Sequence, residues 1–173
     1  MVDHTIEVNG IVVNGTKNDV SKVRQALDLL AEKAPTELKF IKKYIKKITI
    51  SNEPSGVDIS EKTFNIKHST LSISSVEWTA STIAHDAKHS GIFWEKPLTK
   101  STGGKKVTKH ITDKERMDSE EVICLGYQLK VGIKVGLDKS TQGYLQDLIK
   151  KPDYWDVNKD NKFTYADYKQ RNW

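Results

Sequence analysis

Residues 75–91 read Ser75-Val76-Glu77-Trp78-Thr79-Ala80-Ser81-Thr82-Ile83-Ala84-His85-Asp86-Ala87-Lys88-His89-Ser90-Gly91. Ser75, or Ser74 before it, offers a side-chain oxygen to cap a helix, and Val76, Ala80, Ile83, Ala84 and Ala87 recur at helical spacing. The pattern predicts a helix of about four turns over 76–90, with Gly91 as its C′ residue. His85 and His89 stand at i and i+4, so their imidazoles share one face, one turn apart. Imidazoles so placed can reach one divalent cation. Asp86 directly follows the first histidine and can hold a water beside that cation. A histidine pair satisfied by core or solvent is the other reading of the same spacing. His68, His85 and His89, three of the five histidines in the chain, fall within one short stretch.

A cation bound for catalysis needs a third protein ligand and one open position. A second helix is expected from about Asp118 or Ser119 to Val135, weakened by Gly126 and Gly132. On it Glu121, Cys124 and Gln128 share a face at i, i+3 and i+7. Glu121 is the preferred third ligand, with Glu120 as the fallback. The competing reading is that two acids in a first helical turn simply complement the helix dipole. His110 lies in a lysine-rich stretch and is the poorer candidate, because a ligand is better held on a rigid element.

Upstream, Thr5 to Val13 predicts a strand or hairpin turning at Asn9-Gly10. A helix capped by Asn18 or Asp19 carries Val20, Val23, Leu27, Leu30 and Ala31 on one face and stops at Pro35-Thr36. The next helix lines Leu38, Ile41, Ile45 and Ile48 on its apolar side, and its lysines read as a solvated face. Short strands are expected at Ile48–Ile50, Thr63–Lys67 and Thr70–Ile73, with a weaker one at Val57–Ile59. A short helix over Ser140–Lys150 stops at Pro152. The expected class is α+β, one domain over 1–173. It divides into an N-terminal β-α-α-β part (1–75), the metal-site helices (76–150) and an aromatic tail (151–173).

Composition narrows the function. The 173 residues suffice for a core without covalent staples. The single cysteine, Cys124, excludes an internal disulfide and any multi-cysteine metal site, which leaves histidine and carboxylate as metal ligands. The formal charge is +5, and the stretch from Lys96 to Lys114, with six lysines and one acid, accounts for all of it. A nucleic-acid binder needs a wider basic face with arginine or aromatic interleaving, and the chain has three arginines. The segment reads as a solvated lysine loop or as the rim of a cleft that steers an anionic partner. No apolar run is long enough to span a bilayer. Met1-Val2-Asp3-His4 carries no secretory signal region, so a cytoplasmic protein or one exported by a dedicated secretion machine is expected.

In the tail, Asp156-Val157-Asn158-Lys159-Asp160-Asn161-Lys162-Phe163-Thr164-Tyr165-Ala166-Asp167 fits much of an EF-hand-like loop. Asp156, Asn158 and Asp160 stand at positions 1, 3 and 5, the Lys162 carbonyl at 7 and Asp167 at 12, all hard oxygen donors for calcium. Asn161 replaces glycine at position 6, and Asp167 is shorter than the usual glutamate. An Asx-rich turn satisfying its own backbone is the other reading.

His85-Asp86-x-x-His89 within Ser72–Gly91, Ser119–Gln128, and the tail from Tyr154-Trp155-Asp156 to Trp173 together resemble small zincin-like metallopeptidase domains. The likeness is to bacterial toxin and effector domains of the HDxxH type. It implies a small sheet packed on the active-site helix and a mainly helical C-terminal part. It further implies zinc held by His85, His89 and Glu121, with Asp86 as general base. The activity implied is that of a metallopeptidase or amidase acting on a protein, a peptide or a peptidoglycan peptide, with an immunity protein as partner if the chain is a toxin. Aspartate where the motif has glutamate puts peptide hydrolysis in question more than metal binding. Two alternatives stand beside it. The His85-Asp86 pair also resembles HD-domain phosphohydrolases, which are all-helical and need a histidine on an earlier helix. The other is a non-enzymatic effector or adaptor that keeps a metal for structure.

Overall fold

Asn9 and Gly10 decide how the chain begins. Both adopt left-handed backbone, φ 51° and 81°, as a two-residue hairpin turn requires. Across them β1 (His4–Val8) pairs antiparallel with β2 (Ile11–Gly15), as the Asn-Gly signal predicts. The computed structural model describes residues 4–95, 113–162, 164 and 167. Most of the lysine-rich stretch (96–112, with His110) and the tail residues Phe163, Tyr165, Tyr168 and Trp173 lie outside those residues.

Helix α1 (Lys17–Lys33) is capped by Thr16, not by Asn18 or Asp19. The Thr16 hydroxyl accepts the Asp19 N–H at 3.3 Å and the Asp19 carboxylate accepts the Thr16 N–H at 3.3 Å. Asp19 is thus the third-residue partner of a capping box. Pro35 opens α2 (Pro35–Tyr44), where its missing N–H costs nothing. Strands β3 (Lys47–Ser51), β4 (Gly56–Asp58) and β5 (Thr63–Lys67) complete a sheet ordered β1-β2-β3-β5-β4. The inner strands β2, β3 and β5 run parallel, with antiparallel β1 and β4 at the edges. Period-two alternation sends Ile11 and Val13, Ile48 and Ile50, and Phe64 and Ile66 to one buried face. They meet Val23, Leu27 and Leu30 of α1, Leu38 and Ile41 of α2, and Ala80, Ile83, Ala84 and Ala87 of the histidine helix.

The expected strand at Thr70–Ile73 is helical instead, as α3 (His68–Ile73). Leu71 alone enters the core while Ile73 is 83% exposed, so the apolar run does not alternate across a sheet. Lys22 donates to the Leu71 carbonyl at 2.6 Å, and His68 Nδ1 lies 3.0 Å from Asp19. These long-range ties hold the segment against α1, a choice short-range propensity does not carry.

Helix α4 (Val76–Glu95) starts as predicted, with the Ser75 hydroxyl accepting the Trp78 N–H at 3.0 Å. It continues one turn past Gly91. That glycine is no C′ residue. A Cβ there would stand 2.6 Å from Phe40 Cζ, so Gly91 lets α4 lie close to α2. Helix α5 (Asp113–Val135) begins before the expected Asp118, supported by Lys114–Asp118 at 3.1 Å and Arg116–Glu120 at 3.8 Å. Gly136, φ 92°, ends it, and the Leu137 N–H returns to the Gly132 carbonyl at 2.8 Å. Asp138 caps α6 (Lys139–Lys150), and a 3₁₀ turn, Pro152–Trp155, follows.

The fold is therefore α+β: a five-stranded mixed sheet in the N-terminal part, then a mainly helical C-terminal part, with both histidines on α4. α4 packs against α1, α2 and α5, and Glu37 of α2 reaches Lys134 of α5 at 2.7 Å. Gly91→Ala is expected to cost about 1–3 kcal/mol by overpacking against Phe40. Gly143→Ala, on α6 with open space around its Cβ position, is expected to be neutral or stabilising by up to about 1 kcal/mol. Urea denaturation midpoints of the two variants measure the contrast.

Candidate metal centre

Two stripes run side by side along α4. Ala80, Ile83, Ala84 and Ala87 face the sheet-side core, while Ser81, His85 and His89 face α5. α5 answers with Glu121, Cys124 and Gln128, all buried, so the face expected from their i, i+3, i+7 spacing is the one that packs. The helices run antiparallel. Ser81 lies against Gly132, Gln128 donates to the Thr82 hydroxyl at 3.4 Å, and His89 meets Glu120. The one-turn spacing on α4 thereby brings both imidazoles to the first half of α5.

His85, His89 and Glu121 form one group. The two Nε2 atoms are 3.0 Å apart. His85 Nε2 is 3.5 Å from Glu121 Oε2, and His89 Nε2 is 3.6 Å from Glu121 Oε1. Each imidazole approaches a different oxygen of Glu121, and the three distances lie near the roughly 3.3 Å that separates ligand atoms around a tetrahedral ion with bonds of about 2.0–2.1 Å. The donor set, two imidazoles and one carboxylate, suits zinc. The group is also asymmetric. The side chains of His85 and Glu121 keep 4% and 2% of their exposure, whereas His89 keeps 14%, so solvent meets the group at His89.

Glu120 sits on the opposite side of the His89 ring, with Oε1 3.1 Å from Nδ1. It is placed to orient His89 and leave Nε2 for the centre, as carboxylates behind metal-binding histidines do. The group itself takes Glu121, the preferred acid, rather than the fallback. Asp86 follows His85 on α4, half-buried, about 100° further around the helix.

The electrostatics follow from burial and pairing. Burial opposes protonation of His89, but hydrogen bonding with Cys124, Glu120 and Glu121 outweighs it and holds the imidazole pKa well above its ordinary value. Burial would raise the Glu121 carboxyl, yet hydrogen bonds from His85 and His89, and their charges, hold it well below the usual carboxylate range. Burial pushes the Cys124 thiol up, so it stays protonated beside His89. The group thus carries a carboxylate that draws positive charge between two imidazoles. A metal ion held there would compete with the proton on His89.

A contact the sequence does not announce lies behind Glu121. The Tyr154 hydroxyl donates to Glu121 Oε2, and Trp155 Nε1 donates to Asp118 Oδ1 at 2.7 Å. Both come from the 3₁₀ turn, more than thirty residues along the chain from their acceptors. The available signal is general: a buried aromatic with a polar tip needs a partner.

In the tail, Asp156 accepts the N–H groups of Asp160 and Asn161, each at 3.0 Å, and Asp160 accepts that of Lys162 at 2.8 Å. Asn158 accepts the Asp160 N–H at 3.0 Å, and Asp167 accepts those of Val157 and Thr164 at 3.2 and 2.9 Å. Lys159 and Asn161 are both left-handed at φ 61°, which meets the sharp-turn requirement at position 6 without glycine. Asp156 and Asp167 are buried. Trp155 packs back onto the body, as the aromatic tail suggests.

No helix among the described residues is long and apolar enough to cross a membrane. Set against protein-family models, curated proteins and solved structures, the chain matches none.

Proposed function

We propose that the chain is a zinc-dependent hydrolase of the zincin type, cleaving an amide bond in a protein, peptide or peptidoglycan peptide. One observation carries the reading: the convergence of His85 Nε2, His89 Nε2 and the Glu121 carboxylate at 3.0–3.6 Å inside a helix interface. Three protein ligands leave one position for water or substrate, and the more exposed His89 edge supports access from that side. Zinc held by these residues supplies Lewis-acid polarisation of a carbonyl and a water of lowered pKa. Glu120 keeps the His89 ring turned so that Nε2 points inward. Asp86 is the general base: it takes the proton of the attacking water and returns it to the departing amine. Its carboxylate stands one methylene closer to the helix than glutamate would, so it acts on water drawn close to α4.

The phosphohydrolase alternative pairs His85 with Asp86 in an all-helical fold. Here His85 groups with His89 and Glu121 beside a five-stranded sheet, which counts against it. The effector or toxin role, and the immunity protein that goes with it, rest on the HDxxH resemblance. Calcium binding by Asp156, Asn158, Asp160, Lys162 and Asp167 is a separate structural proposal, supported by the left-handed backbone at Lys159 and Asn161.

Purified wild type is expected to carry about one zinc per chain, and His85→Ala and Glu121→Ala to lose it. Equal zinc in all three, by plasma mass spectrometry, sinks the assignment. Asp86→Asn is expected to keep the metal and lose amide cleavage of a peptide library by about 10²–10⁴-fold. An unchanged rate removes Asp86 from the base role, while a metal-loaded wild type that cleaves nothing favours the non-enzymatic alternative. Millimolar calcium is expected to raise the melting temperature of wild type and not of Asp156→Ala. The absence of a shift leaves a self-capped turn.

A further inference from the structure

Tyr154 and Trp155 are consecutive, and both turn their polar tips onto α5. Tyr154 donates to Glu121 Oε2, the oxygen that faces His85 Nε2 at 3.5 Å. Trp155 is fully buried and donates to Asp118. Asp118 and Glu121 are three residues apart and share a helical face, so one 3₁₀ turn grips one side of α5 at two points. We infer that Tyr154 is a positioning residue of the metal centre: its hydroxyl fixes the Glu121 carboxylate so that it already faces the two imidazoles.

Chemistry favours a tyrosine for this task. A glutamate has three rotatable side-chain bonds, and a ligand free to rotate loses that freedom when it binds metal. A donor on one oxygen sets the plane of the carboxylate beforehand. A neutral hydroxyl does so without cancelling the negative charge that Glu121 brings to a cation, as a lysine or arginine would. The burial of Trp155 anchors the turn, so the hydroxyl is held by the core rather than by a mobile end. The C-terminal turn thereby becomes part of a centre whose ligands all lie on α4 and α5.

The inference rests on the metal reading above, and cobalt(II) titration followed by visible absorption separates the two. Wild type is expected to give d–d bands that vanish in His85→Ala. Tyr154→Phe keeps the ring and is expected to weaken cobalt binding by about 10–100-fold and shift the bands, while the metal-free chain still melts cooperatively at a somewhat lower temperature. Tyr144→Phe, on the outer side of α6, is expected to match wild type. Trp155→Phe disturbs the same turn while leaving the Tyr154 hydroxyl in place, and is expected to lower stability more than cobalt affinity. Wild-type affinity and bands in Tyr154→Phe overturn the inference and leave the metal reading standing. If wild type gives no histidine-dependent bands, the metal reading falls and the inference with it.

Discussion

A carboxylate and two imidazoles held between two helices set the terms for the rest of this structure. Taking an ion out of water costs several kcal/mol even after relaxation, and the cost is met only by partners with good geometry. Glu121 is 1% exposed and engages His85, His89 and Tyr154. His89, held between Glu121 and Glu120, has a partner on each ring nitrogen. Such a cluster needs two rigid elements in fixed register. α4 supplies one because its other stripe, Ala80, Ile83, Ala84 and Ala87, is locked into the sheet-side core. α5 supplies the other, drawn close where Gly132 lies against Ser81 and tied to α2 through Lys134 and Glu37.

Much of this was legible from local pattern, and the failures share a cause. The Asn9-Gly10 hairpin, the histidine helix and the Glu121 face follow from short-range rules: left-handed turn residues, i/i+4 geometry and a repeated helical face. Thr70 and Ile73 point the segment to a strand by composition, but Lys22 and Asp19, some fifty residues away, tie it to α1 as a helix. Gly91 resembles a helix end because it follows an apolar stripe, yet α4 continues to Glu95. Its actual reason, the Phe40 ring of α2, is a tertiary contact. The Tyr154–Glu121 and Trp155–Asp118 bonds span more than thirty residues and leave no periodic trace. Sequence periodicity reports which face of an element is apolar. It does not report which distant side chain completes a polar site.

The place of the site in the packing follows from the same division. The main core joins the sheet to α1, α2, α4 and the last turns of α5 through Val131 and Val135. A second, smaller cluster forms around Leu125, Leu137 and Leu145 under α6. His85, His89 and Glu121 lie along the α4–α5 contact, away from the Val131 and Val135 end of α5. Polar groups there interrupt neither core, and solvent can reach them at one edge. Binding sites favour such positions because apolar packing fixes the walls without filling the space.

Metal binding and hydrolysis place different demands on this arrangement. Binding asks that three side chains converge, and helix geometry meets that demand: the i/i+4 imidazoles and the carboxylate on the facing helix approach one another at 3.0–3.6 Å. Hydrolysis also asks that a base reach a water on the open side. With aspartate at position 86 that reach is set by the backbone of α4, because the side chain has one methylene fewer with which to adjust. If Asp86 is the base proposed above, the rigidity that makes α4 a good ligand platform would also fix its position. On the proposed reading, Glu121 would fix how close a bound ion lies to that base. Glu121 in turn accepts from Tyr154, so on that reading the C-terminal turn would bear on how Asp86 and a bound ion meet.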